Sequence, residues 1–182
     1  MAKTQRKTFD KVLIFLGIVT MVVLIAFGSL AWWGYNFANT SVKNELKSQQ
    51  VTFPPAGSAA LTALPAADQA QMTKYAGQDL TTGNQAKTYA DHFIAVHLSE
   101  VAGGKTYSQV STASLADPTN QTLVTQKAVL FQGETLRGLL LNAYAFWTFG
   151  QIAMYAAIAS FCGAAVMALL VLMGLGHLSR IK

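Results

Sequence analysis

The sequence has 182 residues, of which 52% are hydrophobic and only 12% are charged, about half the charged fraction of ordinary soluble domains. Residues 12–35 and 138–176 carry no charge at all, which excludes an ordinary soluble globular protein. The net charge of +5 comes from the two ends of the chain, because residues 36–137 hold as many acidic as basic side chains. No basic patch interleaved with aromatic residues occurs, so nucleic acid is not a predicted partner.

The first uncharged run predicts a transmembrane helix over residues 12–35. About 20 apolar residues cross the hydrocarbon core of a bilayer, and this run is long enough for one crossing. Basic residues precede the run, as they do in a signal peptide. The apolar region of a signal peptide is however only about 7–15 residues long. The longer run therefore favours a retained membrane anchor.

The second uncharged run is longer than one crossing needs and too short for two crossings and a turn. We expect its membrane-spanning part at 152–175 and an outer interfacial helix at 138–151. Positive residues cluster before the first span and after the second, which predicts that residues 1–11 and 176–182 are cytoplasmic. Residues 36–137 then form an extracytoplasmic domain.

The intervening segment shows helix patterns separated by breaks. Residues 39–50 are good helix formers, and the two prolines of 51–58 cannot continue a helix. A short helix is predicted near 65–77, with Pro65 in its first turn and Gly77 as its C-terminal cap. Asn84 or Thr82 caps a further helix that runs to Ala102.

Later in the segment, Gly103 and Gly104 stop that helix, and residues 105–116 are predicted to form a loop with at most one turn. Asp117 and Pro118 predict the start of a helix that runs on into the second span. Gly133 and Gly138 are its expected sites of a kink or break. The predicted fold class is therefore an all-α membrane protein with two transmembrane helices, both termini inside, and a small, mainly helical extracytoplasmic domain.

Large aliphatic residues and phenylalanine make up only about a fifth of residues 40–135. That fraction is near the level below which a chain cannot bury a core of its own. The only cysteine, Cys162, lies in the second span, so no disulfide within the chain can replace a core. We therefore expect the outer domain to pack against a partner protein.

Aromatic residues mark the predicted outer membrane boundary on both spans. They are Trp32, Trp33 and Tyr35 on the first span, and Tyr144 and Trp147 on the second. Amphipathic rings prefer this depth in a bilayer, so these residues are predicted to form a membrane-interface belt. The alternative is a groove for a quinone tail, a carotenoid or a lipid.

Small residues recur every four positions along the second span. Ala156, Ser160, Ala164 and Ala168 are predicted to form a helix-packing ridge, because small side chains let another helix approach closely. Its partner could be the first span of the same chain or a helix of another subunit, and the spacing alone leaves both open.

The stretch 89–107 holds two histidines and several acidic residues, which raises the possibility of a metal or acid–base site. On an α-helix, however, His92 and His97 diverge by about 140° around the axis and cannot ligate one ion together. His97 and Glu100 share a face, but no second such pair occurs in the segment. The sequence therefore predicts no catalytic, cofactor-binding or metal-binding residues, and an ordinary amphipathic helix here.

Two stretches, KYAGQDLTTGNQAKTYADHFIAVHLSEVAGGKTYSQV and GETLRGLLLNAYAFWTFGQIAMYAAIA, resemble a family of small two-span membrane proteins from Actinobacteria. The resemblance covers roughly residues 50–165. Members are often described as aromatic ring-opening dioxygenases, an activity that needs a histidine and carboxylate iron site on a soluble scaffold. The diverging histidines here do not provide one. The resemblance implies an accessory membrane protein.

We expect a non-catalytic accessory subunit of a larger membrane complex, with other integral membrane subunits and lipids as partners. Actinobacterial respiratory supercomplexes, which join a cytochrome bc complex to an oxidase, contain small subunits of similar size and topology. The alternative is a stand-alone, self-associating scaffold or sensor of the cell envelope. A third hypothesis, an enzyme or metal protein using His92, His97 and Glu100, has the least support.

Overall fold

The computed structural model describes residues 3–180. Its helices are α1 (Lys3–Ser48), α2 (Ala59–Thr62), α3 (Ala66–Thr73), α4 (Gly83–Tyr89), a π-helical segment (Ala90–Ile94), α5 (Ala95–Ala102), α6 (Tyr107–Ala116) and α7 (Gln121–Arg180). The chain divides into two compact units. The paired-helix unit comprises residues up to 37 and from 149 onward, and the helical unit comprises residues 38–148.

Both α1 and α7 are long and apolar enough to cross a membrane, with mean hydropathies of 2.7 and 2.4 over their most apolar windows. At 1.5 Å per residue, the 46 residues of α1 extend about 69 Å and the 60 residues of α7 about 90 Å. Each helix is therefore much longer than the roughly 30 Å of hydrocarbon it could cross.

Within the paired-helix unit, the two helices pack antiparallel through small residues. A methyl group on Gly17 would lie 2.8 Å from Val171 Cγ2, and one on Gly174 would lie 3.0 Å from Ile14 Cγ1. Residue numbers rise along one helix as they fall along the other, so the start of α1 and the end of α7 lie at the same end of this unit. The remaining faces carry large exposed apolar side chains, which suits a lipid surrounding.

The helical unit has two clusters of buried apolar residues. The larger contains Val42, Leu46, Phe53, Leu61, Leu64, Met72, Leu80 and Ala86. The smaller contains Leu98, Ala102, Val110 and Leu130. Several of these residues belong to α1 or α7 rather than to the short helices between them. The scarce apolar residues of the intervening segment are thus supplemented by the inner faces of the two long helices.

Local hydrogen bonds fix the connections between the short helices. Residues 51–53 pair with residues 77–80, through bonds that include Leu80 N to Val51 O at 2.9 Å. Thr82 and Gln85 form a reciprocal capping box at the start of α4. The buried Gln85 Oε1 also accepts from the Thr81 backbone at 2.8 Å. Thr82 is therefore the cap, of the two alternatives that the sequence left open.

Three local predictions are wrong. The helix α3 ends at Thr73 with Lys74 as its C-cap, and Gly77 instead occupies a positive-φ turn where its amide donates to Phe53 O. Residues 107–116 form the helix α6 rather than a loop, because Thr106 and Gln109 make a second capping box.

The third error concerns the start and continuity of α7. Asp117 is the C-cap of α6. The helix α7 begins at Gln121, and Oδ1 of the preceding residue, Asn120, accepts a hydrogen bond from Leu123 N at 3.3 Å. The helix passes through Gly133 and Gly138 unbroken. Gly133 does not bend the helix; its lack of a side chain lets Leu98 pack closely against α7, since a methyl group there would lie 2.3 Å from Leu98 Cδ2.

Candidate binding groove

An open apolar groove of about 730 Å³ lies within the helical unit. One wall comes from the end of α1, the second from α4, the π segment and α5, and the third from α7 between Leu136 and Phe146. Its lining is mainly aliphatic and aromatic, including Val42, Leu98 and Leu140. Sites for small ligands are typically concave, mostly apolar and about 300–1,000 Å³ in volume, so this groove has the size and character of a ligand site.

The second wall of the groove carries the rings of Tyr89, Phe93 and His97, which continue a row of rings that starts at Phe53, outside the lining. Ring centroids are 5.3 Å apart between Phe53 and Tyr89, 4.9 Å between Tyr89 and Phe93, and 4.5 Å between Phe93 and His97. The row begins in the buried core at Phe53 and ends at the exposed His97. Contacts at these centroid distances stabilise aromatic pairs beyond the effect of buried area alone, so the wall is a continuous packed surface.

The π-helical segment Ala90–Ile94 interrupts the helix at this wall. A π turn inserts an extra residue into the helical repeat and changes which side chains share a face. Tyr89, Phe93 and His97 follow one another at four-residue intervals and all line the groove. Such segments occur frequently at functional sites.

An ion-pair network ties this segment to its neighbours. Asp91 accepts hydrogen bonds from Lys87 and, at 3.3 Å, from Arg137 of α7. Partial burial raises the pKa of Asp91, but the hydrogen bonds and charges of Lys87 and Arg137 outweigh burial and leave that pKa below its ordinary value. The Lys87 ammonium also lies 5.5 Å from the centre of the Tyr144 ring. These contacts hold the second wall of the groove, at α4 and the π segment, against α7.

The groove has few polar groups, and most of them are exposed at its rim. Glu45, Gln49, His97 and Asn142 are exposed, while Tyr89 is half-buried. Burial raises the pKa of the Tyr89 phenol, so its hydroxyl stays protonated. His97 Nδ1 donates to the Phe93 carbonyl at 2.7 Å, which leaves Nε2 of the neutral ring as an acceptor.

The two histidines of this stretch have different surroundings. His92 Nδ1 lies 2.7 Å from Asp68 Oδ1 and links the π segment to α3, whereas His97 lines the groove. Glu100 is exposed on α5. Among residues 3–180, no three His, Cys, Asp or Glu side chains gather closely enough to hold a metal ion.

The predicted interface residues fall in both units. Trp32, Trp33 and Tyr35 belong to the paired-helix unit, where Trp33 is 63% exposed. Tyr144 and Trp147 belong to the helical unit, where their rings stack with centroids 6.4 Å apart. Trp147 also packs against the larger core cluster, so it has a structural contact within this unit.

The predicted helix-packing ridge lies in the paired-helix unit. Ser160 and Ala164 are buried there, and Ala156 and Ala168 are half-buried. A methyl group on the neighbouring Gly163 would lie 3.3 Å from Leu24 Cδ1 of α1. The helix α1 of the same chain therefore lies beside this part of α7, and the helix-packing role of the four ridge residues stays a prediction.

Large apolar side chains also remain exposed on the helical unit outside the groove. Phe131 is 59% exposed and contacts the Tyr107 ring, with centroids 5.8 Å apart. Leu115 on α6 is 71% exposed. We call Tyr107, Leu115 and Phe131 the apolar surface residues of this unit; Tyr107 and Phe131 form one exposed aromatic pair, and Leu115 is a further exposed position on α6.

Sequence reasoning found the aromatic residues of 89–97 but interpreted them as one side of an ordinary amphipathic helix. It did not find the groove, because the walls come from segments about 40 residues apart in the chain. The four-residue spacing of Tyr89, Phe93 and His97 was the sequence feature that could have indicated this wall of the groove. No family model, curated protein or solved structure matches this chain.

Proposed function

We propose that this protein is a non-catalytic accessory subunit of a larger membrane complex, anchored by α1 and α7. In this proposal both chain ends are cytoplasmic and the helical unit lies outside the membrane. Its partners are other integral membrane subunits, and the complex is a respiratory assembly of the cytochrome bc–oxidase kind found in Actinobacteria. The respiratory assignment rests on an analogy of size and topology with the small subunits of such assemblies.

The observation that carries the proposal is the exposure of the apolar surface residues Tyr107, Leu115 and Phe131 on the helical unit. Phe131 and Leu115 lie before the long uncharged run of α7, in a stretch that contains charged residues such as Lys127 and Glu134. Such a stretch is unsuited to the hydrocarbon core, so lipid tails would not cover these side chains. A protein partner would cover them, and full burial of a Phe side chain contributes about 1.5–3 kcal/mol.

Purification of the tagged full chain from its native membrane in mild detergent tests the proposal. We expect stoichiometric membrane subunits by mass spectrometry, and haem bands in the visible spectrum if the complex is respiratory. The substitution Phe131→Gln should reduce partner recovery about tenfold, since 1.4 kcal/mol corresponds to a factor of ten. The control Thr125→Gln changes another exposed position of α7 and should leave recovery unchanged.

A preparation that contains only this chain would refute the accessory-subunit proposal. Self-contacts found by crosslinking in that preparation would support the alternative, a self-associating envelope scaffold.

Orientation is tested separately in intact cells, with Cys162 replaced by serine. A cysteine at Lys105 should react with a membrane-impermeant thiol reagent, and one at Arg180 should not. The opposite labelling pattern would reverse the proposed topology.

A further inference from the structure

The apolar groove of the helical unit differs from the exposed surface around Phe131 in shape. Its three walls enclose a concave volume of about 730 Å³, within the range of small-molecule sites. The residues that close it at the α7 side, Leu140 and Ala143, also pack against the larger core cluster. The cavity is thus built on the packed core of the unit and is not a gap between loosely placed side chains.

The charge of the lining restricts the chemistry of an occupant. Glu45 is the one charged residue among the described residues of the lining, which include no lysine or arginine. An anionic headgroup, such as a phosphate or a fatty-acid carboxylate, would meet a like charge and no cationic partner. The lining therefore favours a neutral ligand.

The hydrogen-bonding groups favour a ligand that carries hydroxyl groups. The Glu45 carboxylate can accept hydrogen bonds at the rim. The Nε2 atom of His97 can also accept one, because His97 Nδ1 donates to the Phe93 carbonyl. The Tyr89 hydroxyl can both donate and accept. The aromatic row formed by Tyr89 and Phe93 offers ring faces and edges to an aromatic headgroup.

We propose that the groove binds a neutral amphiphile with a hydroxylated ring and an apolar chain, a lipid of the hydroquinone class. The ring lies against Tyr89 and Phe93, its hydroxyl groups donate to Glu45 and His97, and the chain follows the aliphatic residues of α7 such as Leu139. This binding site goes beyond the accessory role, since it needs no protein partner.

The test uses the full chain in nanodiscs of zwitterionic lipid, titrated with a short-chain hydroquinone and followed by calorimetry. We expect saturable binding to the unmodified protein. Glu45→Gln and His97→Ala should each weaken binding about tenfold, the effect of losing one hydrogen bond to a charged or well-oriented group. Glu100→Gln changes an exposed carboxylate outside the groove and should have no effect.

A second variant tests the location of the ligand. Ala143→Phe places a large side chain in the cavity and should abolish binding. Its fold is checked by circular dichroism, and Leu139→Gln at the exposed edge serves in its place if the core does not tolerate phenylalanine. Phe131→Gln should bind the hydroquinone as the unmodified protein does, which separates this site from partner docking.

Several results would overturn the proposal. They are absence of saturable binding, unchanged binding by both cavity variants, and tighter binding of a fatty-acid anion or anionic phospholipid than of the hydroquinone. The isolated complex provides one more test. If crosslinking and mass spectrometry find a polypeptide of the complex seated in the groove, the proposal is also overturned.

Discussion

The contact between Gly83 and Trp147 provides a sharp test of the packing of the helical unit. Gly83 is the first residue of α4 and is buried. A methyl group in place of its hydrogen would lie 2.5 Å from Cβ and 2.6 Å from Cγ of Trp147. The nearest atom is attached directly to the backbone of α7, so rotation of the tryptophan ring cannot relieve the overlap. In Gly83→Ala, α4 or α7 must therefore shift.

We expect Gly83→Ala to lower the free energy of unfolding of the helical unit by about 1–3 kcal/mol, the usual cost of overpacking a well-packed site. The assay is urea unfolding in mild detergent, followed by the fluorescence of Trp147. Trp32 and Trp33 are replaced by phenylalanine in all variants, so that the signal comes from the contact itself. The urea midpoint should fall without a change in slope.

Gly138→Ala is the matched control, because it is the same substitution in a helix where no atom beyond its own stretch of helix lies within 4 Å of the new methyl group. It should raise stability by up to about 1 kcal/mol through the better helix propensity of alanine. If Gly83→Ala were as stable as the unmodified protein, or gained stability as Gly138→Ala does, the described packing of α4 against Trp147 would be wrong.

Three further predictions follow from the contacts of the described residues. Cysteines at Ile14 and Gly174 should form an intramolecular disulfide when the native cysteine is replaced by serine, because the two positions face each other across the helix pair; non-reducing electrophoresis after mild oxidation measures it. Thr106→Ala should cost about 1 kcal/mol of helical-unit stability by removing the N-cap of α6, measured by urea unfolding. Asp91→Asn should lower the free energy of unfolding at neutral pH and reduce the loss of stability in acid. The pKa of Asp91 is lowered in the folded state, so its charge stabilises the fold at pH values above the ordinary aspartate pKa of about 3.9. That contribution disappears as the pH falls through the folded-state pKa.

Each of these has a control within the chain. Cysteines at Phe15 and Leu172 lie on exposed faces and should not crosslink within one chain. Thr112→Ala removes an exposed hydroxyl inside α6 and should cost less than Thr106→Ala. Glu100→Gln should leave the acid dependence unchanged. Equal crosslinking of both cysteine pairs would contradict the antiparallel arrangement, and an unaltered acid profile for Asp91→Asn would contradict the role of the Lys87 and Arg137 contacts.

Much of the helix pattern could be predicted from local sequence. The two uncharged runs predict helices long enough to span a membrane, and α1 and α7 contain them. The proline pair at 54 and 55 ends the first helix pattern, and no helix covers these residues in the structure. Gly103 adopts the left-handed conformation that ends α5. These features depend on composition or on contacts within a few residues.

Where local signals competed, the sequence alone was a poorer guide. Asp117 and Pro118 have the residue types of a helix start, but they lie in the turn between α6 and α7. The capping box of Thr106 and Gln109 was the stronger signal, because it satisfies two backbone amides reciprocally. Gly133 and Gly138 suggested a kink, yet α7 continues through both, since one helical glycine costs only about 1 kcal/mol.

The sequence by itself determined which segments are apolar enough to form long helices and, at Gly103, where a short helix ends, because these properties arise from neighbouring residues. Tertiary structure alone decided that α1 and α7 pack side by side, that Trp147 packs on the core, and that His92 and His97 have different surroundings. It also decided that Tyr89, Phe93 and His97 line a cavity with Leu46 and Leu140. Each of these depends on contacts between residues far apart in the chain, which periodicity and spacing do not specify.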